Sequence, residues 1–333
     1  MFSKKITKIT GVLLVSSILV LGVALPGWGA ETQDIKVTLD WTPNTNHTGI
    51  YVAKELGYFA DEGLQVDVVQ PSKTTSIQLT ASGKTEFGVS HQESVTMARD
   101  KDVPVVSIAA IIQENTSGFA APADAGIESV EDFENKKFGG WGTELYNRII
   151  QSVMKERGAD FSTVDFVNIG MTDFVTAARK GLADFFWIFY GWQGMHAKTE
   201  GLDFNYIPAT ELSSTFNYYT PIFITSEDVV RNRPDLAERF LKAVTRGYRN
   251  AEENPEESAR ILLEHASELD EDLVMKSQKY VSEEYSAGVD RWGIQEKTVW
   301  EDFTEWLYEN ELIEERIDVE EAFTNEFLPE RGE

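Results

Sequence analysis

The chain has 333 residues, 42% of them hydrophobic, and carries 30 basic against 56 acidic side chains for a formal charge of −26. So acidic a surface repels phosphate backbones and argues against a nucleic-acid partner; solubility in a salty or alkaline exterior accounts for it better than an acidic docking function does. Cysteine is absent, which removes disulfides, thiolate metal sites, thiol nucleophiles and a lipid anchor on an N-terminal cysteine.

Lys4, Lys5 and Lys8 precede an apolar run from Ile9 to Leu25, broken by Pro26 and followed by Gly27 and Gly29. This pattern reads as an export signal over residues 1–29. The run is at the short limit for a bilayer span of about 20 residues, so the segment is either cut after Gly29 or kept as an N-terminal tether. In both cases the remainder is expected outside the cytoplasm, in a periplasm or at the extracellular face of the plasma membrane. Its length suits two domains of ordinary size.

Ile35, Val37, Leu39 and Trp41 alternate with Lys36, Thr38 and Asp40, the period of a half-buried strand. A helix is expected from about Asn46 to Leu56, stopped by Gly57. Strands follow at Leu64 to Val68, Phe87 to Ser90 and Val103 to Ile112, with helices at Thr75 to Ser82 and Ser94 to Asp100 between them. A second unit follows. Ala121 to Gly126 reads as loop, Ser129 to Phe133 as a short helix, and Lys137 to Gly140 as a strand running into Trp141. Leu145 to Arg157 and Asp173 to Lys180 read as helices, and Val164 to Ile169, Ala183 to Phe189 and Phe204 to Ile207 as strands. Tyr219 to Thr225 reads as a strand returning to the first unit. After it the chain is helical, with starts at Pro234, Pro255, Asp270 and Glu296.

Alternating strands and helices predict an α/β fold with mostly parallel strands. One domain is interrupted by another, so lobe I is expected to comprise residues 30–120 and 221–333 and lobe II residues 121–220. The two crossings fall near 118–122 and 217–223. Ligands of such sheets sit beyond the carboxyl ends of the strands, and a cleft between lobes closes by hinge motion.

Trp41, Trp141, Trp187, Tyr190 and Trp192 all fall at strand ends or in the loops after them, where planar rings can sandwich a flat ligand or fill the interlobe core. Tyr146, on the helix after Trp141, joins this set. Asp40 can accept hydrogen bonds from a ring nitrogen or an amine, or serve as a helix cap or loop ion-pair partner. Asn44, Gln92, Asn115 and Gln193 offer donors and acceptors, and Ser90 a hydroxyl, at the same topological level. His47 either points into the cleft or packs. The other histidines are scattered, without zinc spacing. Gly139, Gly140 and Gly142 form a turn that either presents backbone N–H groups to a ligand or is simply tight. No G-x-S-x-G elbow, G-x-G-x-x-G fingerprint or P-loop occurs.

Asp40-Trp41-Thr42-Pro43-Asn44-Thr45-Asn46-His47-Thr48-Gly49, with Gly57-Tyr58-Phe59 and Glu62-Gly63-Leu64, resembles the family shared by thiamine-precursor binding proteins and thiamine-pyrimidine synthases. Within it the sequence is most similar to importer components that bind a formylated aminopyrimidine, a salvageable breakdown product of thiamine. The similarity continues through Gly83-Lys84, Gly88 to Ser90, Pro104, Gly191-Trp192 and Pro221.

The resemblance implies a type 2 periplasmic-binding-protein fold of two lobes around a central cleft, with mixed, mostly parallel sheets. It implies a pyrimidine stacked on Trp41 and read by Asp40, with Trp187, Tyr190 and Trp192 on the opposite wall. It also implies a monomer that delivers its ligand to an ABC permease with a cytoplasmic ATPase. Relatives carry an acid after the Gly-Trp pair, where this chain has Gln193. The synthases of the family use a lysine, a histidine and a cysteine-rich segment. Ser90 and Ser94 stand at the first two positions here, so binding without catalysis or cofactor is expected.

Overall fold

The computed structural model describes Met1, residues 32–71 and residues 73–330. The expected export signal lies, apart from Met1, outside the described residues. From Thr32 onward the chain forms one compact unit. No helix among the described residues is long and apolar enough to cross a membrane.

The strands are β1 (Gln33–Thr38), β2 (Leu64–Val69), β3 (Phe87–Ser90), β4 (Val105–Ala110), β5 (Ser117–Pro122), β6 (Lys137–Gly140), β7 (Asp165–Asn168), β8 (Phe185–Phe189), β9 (Phe204–Pro208) and β10 (Ile222–Ser226). They form two five-stranded sheets, ordered β2-β1-β3-β10-β4 and β7-β6-β8-β5-β9. In the first, β1 runs parallel to β2 and β3, while the returning β10 is antiparallel to β3 and β4. In the second, β6 is parallel to β7 and β8, and β5 is antiparallel to β8 and β9. Both sheets are therefore mixed, each through one strand that reverses direction.

The helices of the first half are α1 (Thr48–Glu55), α2 (Tyr58–Asp61), α3 (Ser76–Ala81), α4 (Gln92–Arg99), α5 (Glu144–Arg157), α6 (Phe174–Arg179), α7 (Met195–Thr199) and α8 (Ala209–Leu212). Those after the return are α9 (Glu227–Asn232), α10 (Pro234–Glu253), α11 (Pro255–His265), α12 (Glu271–Glu284), α13 (Lys297–Glu309) and α14 (Val319–Ala322). Local chemistry sets their ends. Pro234 and Pro255 open α10 and α11, where a missing N–H costs nothing. The Asp270 side chain caps α12 by accepting from Leu273 N–H at 2.8 Å. Gly158, at φ 74°, ends α5 in the left-handed conformation that glycine adopts without strain.

The first core packs α10 on the sheet of β1, with Phe240 stacked on Phe87 at 3.9 Å between ring centroids. Burial of each such side chain contributes about 1.5–3 kcal/mol. The second core is built around Phe119, Phe133, Phe138 and Phe185.

Two expectations about lobe boundaries change. β5, Ser117–Pro122, belongs to the second sheet, so the first crossing lies before Ser117 and not at 118–122. Residues 221–333 do not all serve the first lobe, because Phe303 and Leu307 of α13 and Ile313 beyond it enter the second core. Phe303 stacks on Tyr218 at 4.1 Å, and Trp306 donates its indole N–H to Ser152 Oγ at 3.1 Å.

Candidate ligand-binding cleft

β1 ends at Thr38 and delivers Asp40 and Trp41 into the loop before α1. Asn44 organises that loop. Its Oδ1 accepts from Asn46 N–H at 2.9 Å, and its backbone N–H donates to His47 Nδ1 at 3.2 Å. Since Nδ1 is an acceptor, the ring proton of His47 sits on Nε2, which lies 2.6 Å from Asp40 Oδ1. His47 is fully buried, so this donor cannot swing away. The other oxygen, Asp40 Oδ2, faces His91 Nε2 at 3.4 Å. Burial works to raise the Asp40 pKa, but the His47 and His91 imidazoles together outweigh it, leaving the carboxyl below its usual range. Asp40 is thus an oriented carboxylate with lone pairs to spare and a side chain 11% exposed.

Packing behind the loop fixes it. Tyr248 of α10 donates to Asn46 O at 2.7 Å, and the buried hydroxyl of Tyr285 donates to Thr45 O. Thr45 Oγ1 lies 2.6 Å from Ser277 Oγ of α12. α1 and α10 cross with their backbones almost touching: a Cβ on Gly247 would stand 2.0 Å from Gly49 O, and one on Gly49 would stand 2.4 Å from the Tyr248 ring.

A second set of groups follows β3. Ser90 is buried at the strand end. His91 accepts from or donates to Thr220 Oγ1 through Nδ1 at 2.9 Å, and its ring stacks on Phe189 of the second sheet at 6.2 Å. Glu93, in the first turn of α4, is 7% exposed, and its Oε2 has no hydrogen-bond partner among the described residues. Burial raises its pKa, His91 opposes the shift, and Asp40 adds to it. The sequence marks the stretch Ser90 to Glu93 as one that follows a strand, but gives His91 and Glu93 no binding role of their own. The signal available was their position directly after β3, the same level that singled out Ser90.

The facing wall comes from the second sheet. Trp141 stacks with Phe189 at 6.4 Å and 9°, and meets Tyr146 edge-on at 5.4 Å. Tyr146 in turn leans on Trp187 at 5.2 Å. Trp187 itself is buried, packed edge-on against Phe119 at 4.9 Å, with its Nε1 unpartnered. Trp41 is 47% exposed, and no aromatic ring stacks on it among the described residues.

Other expected site residues are committed elsewhere. Gln92 accepts from Tyr219 N–H at 2.9 Å and donates to Val299 O at 3.2 Å, tying α4 to the returning strand. Asn115 accepts from Ser117 N–H and Oγ and donates to Phe216 O at 2.8 Å, so its amide braces the first crossing. Gln193 accepts from Phe189 N–H at 3.0 Å, closing the single π-helical turn Tyr190–Gly194. Tyr190 belongs to a flanking group with Tyr206 at 4.6 Å and Tyr280 at 5.1 Å. Trp192 packs beside Tyr51, Val52 and Leu262 of the first lobe. The π-turn is fastened to α12 as well: Ser277 Oγ donates to Gly191 O, and a Cβ on Gly191 would lie 2.6 Å from Val281 Cγ1. Among the described residues, no group of three or more acidic, histidine or cysteine side chains is arranged to hold a metal ion.

The family model described as NMT1/THI5 like matches residues 44–258, from the end of the loop before α1 through β2 to β10 and α10, and begins after β1, Asp40 and Trp41. The chain belongs to this family. It is 30% identical to the formylaminopyrimidine-binding protein of Halalkalibacterium halodurans, over 88% of this chain and 90% of that protein. It is 25% identical to the 4-amino-5-hydroxymethyl-2-methylpyrimidine phosphate synthase of Legionella pneumophila, over 89% and 92% of the two chains. Among solved structures it resembles the aliphatic sulphonate-binding protein SsuA of Escherichia coli, with a TM-score of 0.69 at 13% identity over 87% of this chain and 91% of that one. The alkanesulfonate-binding protein SsuA of Xanthomonas axonopodis pv. citri gives 0.67 at 13% identity, over 89% and 99%. The fold is the two-lobed periplasmic-binding-protein fold with mixed sheets.

Proposed function

We propose that this protein is the extracytoplasmic substrate-binding component of an ABC importer and that it captures a thiamine-derived aminopyrimidine, N-formyl-4-amino-5-aminomethyl-2-methylpyrimidine or a close analogue. The observation that carries this reading is the ionised Asp40 carboxylate, held by His47 and His91 beside the uncovered ring of Trp41. A flat ring stacked on Trp41 brings its amino group to Asp40, and the Trp141, Tyr146 and Phe189 wall closes over the other face. A wrong ligand leaves the carboxylate unpaired, which is the source of selectivity. The name of the Halalkalibacterium relative supports the ligand class.

Synthase chemistry is the alternative raised by the Legionella relative. The positions where the synthases carry a lysine and a histidine hold Ser90 and Ser94 here, and no cysteine exists in the chain. Hydroxyls supply neither a Schiff-base amine nor an imidazole. Sulfonate capture calls for cationic donors, and no lysine or arginine is among the groups that act on Asp40 and Glu93.

Native mass spectrometry of the chain purified from residue 30, titrated with formylaminopyrimidine, the free aminopyrimidine, thiamine, riboflavin and taurine, tests the reading. One bound pyrimidine, lost in Asp40→Ala and Trp41→Ala, supports it. Binding of riboflavin or taurine alone keeps a binding protein and replaces its ligand. Turnover of pyridoxal phosphate favours the synthase.

A further inference from the structure

Glu93 sits where its neighbours leave one carboxyl oxygen without a bond. It is 7% exposed at the start of α4, and Oε2 has no partner among the described residues. The groups that act on it come from every side of the cleft. His91 and Asp40 lie on the first lobe, Tyr146 on α5 of the second, and Tyr218 at the returning crossing. No lysine or arginine is among them. A second unpartnered polar atom, Trp187 Nε1, is buried next to Tyr146. Orphaned polar atoms in a folded interior carry a desolvation cost that a bound group can relieve.

We propose that Glu93 is a specificity-determining residue: it stands in the cleft as the neutral acid and donates its O–H to an acceptor atom of the ligand, while Asp40 accepts from a donor. This rests on the binding-protein reading above. The cleft then reads a heterocycle that presents both polarities, an amine toward Asp40 and a ring nitrogen or formyl oxygen toward Glu93. Two carboxyls in one site divide these tasks because burial favours the proton on Glu93 whereas two imidazoles favour its absence on Asp40. When pH rises far enough to ionise Glu93, it loses its donor and repels both the acceptor and Asp40.

Titration calorimetry with formylaminopyrimidine, at mildly acidic and at alkaline pH, tests this with Glu93→Gln and Glu93→Ala. The alanine variant is expected to bind about tenfold more weakly, the scale of one lost hydrogen bond in a buried site. The glutamine variant, whose amide still donates, is expected to stay within about threefold of the parent chain and to lose the decline at alkaline pH. Infrared spectroscopy of the ligand-free protein adds a measurement independent of ligand choice: a protonated-carboxyl band at neutral pH that disappears in Glu93→Gln. An alanine variant that binds like the parent, identical pH profiles for parent and glutamine variant, or no such band would each overturn the proposal. If the parent chain binds no pyrimidine while the band is present, the ligand assignment fails and the proton on Glu93 stands.

Discussion

His47 Nε2 and Asp40 Oδ1 lie 2.6 Å apart, and the direction of the bond is dictated from the far side of the imidazole, where Asn44 N–H occupies Nδ1. The pair is therefore a one-way device in which a backbone amide orients a ring, and the ring orients a carboxylate. His47→Ala is expected to cost about 1–3 kcal/mol in urea unfolding, since it strips partners from two buried groups. The same variant should weaken pyrimidine binding in calorimetry. His47→Gln, which can still donate toward Asp40, should recover part of both losses.

Gly49 offers a test of how the site is held from behind. A methyl group there meets the Tyr248 ring at 2.4 Å, and Tyr248 is the residue that holds Asn46 O. Gly49→Ala should destabilise the protein by about 1–3 kcal/mol, the range for overpacking. It should also lower affinity although residue 49 lies in the helix behind the loop. Paired unfolding and binding measurements distinguish this from a purely local effect.

The two tryptophans at opposite ends of the exposure scale separate recognition from stability. Trp41→Ala should leave the unfolding free energy within about 0.5 kcal/mol and abolish most ligand binding. Trp187→Ala, in the second core, should cost about 3–5 kcal/mol. Thermal melts and native mass spectrometry on both variants give the comparison.

The rise and the fall of stability with pH should belong to different residues. Asp40 has a depressed pKa, so its contribution is present above the unfolded carboxyl range and is lost as pH falls through the folded value. Glu93 is shifted upward, so the folded state loses stability as pH rises through its folded value. Melting temperature against pH should show a flatter acidic limb in Asp40→Asn, and in Glu93→Gln should lose the decline that sets in as pH rises above the ordinary carboxyl range.

Most of the architecture is legible in the sequence because its strands announce themselves by alternation or apolar runs and its long helices by proline starts and glycine stops. β5 escaped because Ser117-Gly118-Phe119-Ala120-Ala121-Pro122 has no alternating pattern and ends in proline. Gly118 is there because a side chain would collide with Ile207 O at 2.3 Å, a constraint set by β9 almost ninety residues away in sequence. The site was legible by level and not by direction. Asp40 and Trp141 are linked across the two sheets through His91 and Phe189, with Tyr146 against Trp141 and Trp41 left exposed, whereas Gln92, Asn115 and Gln193, equally well placed along the chain, turn their amides to backbone groups. Glu93 was marked by its place after β3 but not by its role, because an acid in a helix's first turn normally serves the helix and faces water. Only the folded arrangement, with Tyr146 and Tyr218 close to Glu93, reveals its burial.

α13 is shared between the lobes, with Trp300 packed beside Val105, Ile222 and Ile224 of the first sheet and Phe303 and Leu307 placed among the aromatics of the other core. The two halves are consequently not interchangeable modules. A second lobe cut out at residues 117–220 would expose the Tyr218 face that Phe303 covers, and a first lobe rejoined without it would hold α13 by its Trp300 side alone. Swapping lobes between relatives therefore requires that both sides of α13 match the lobes they cover.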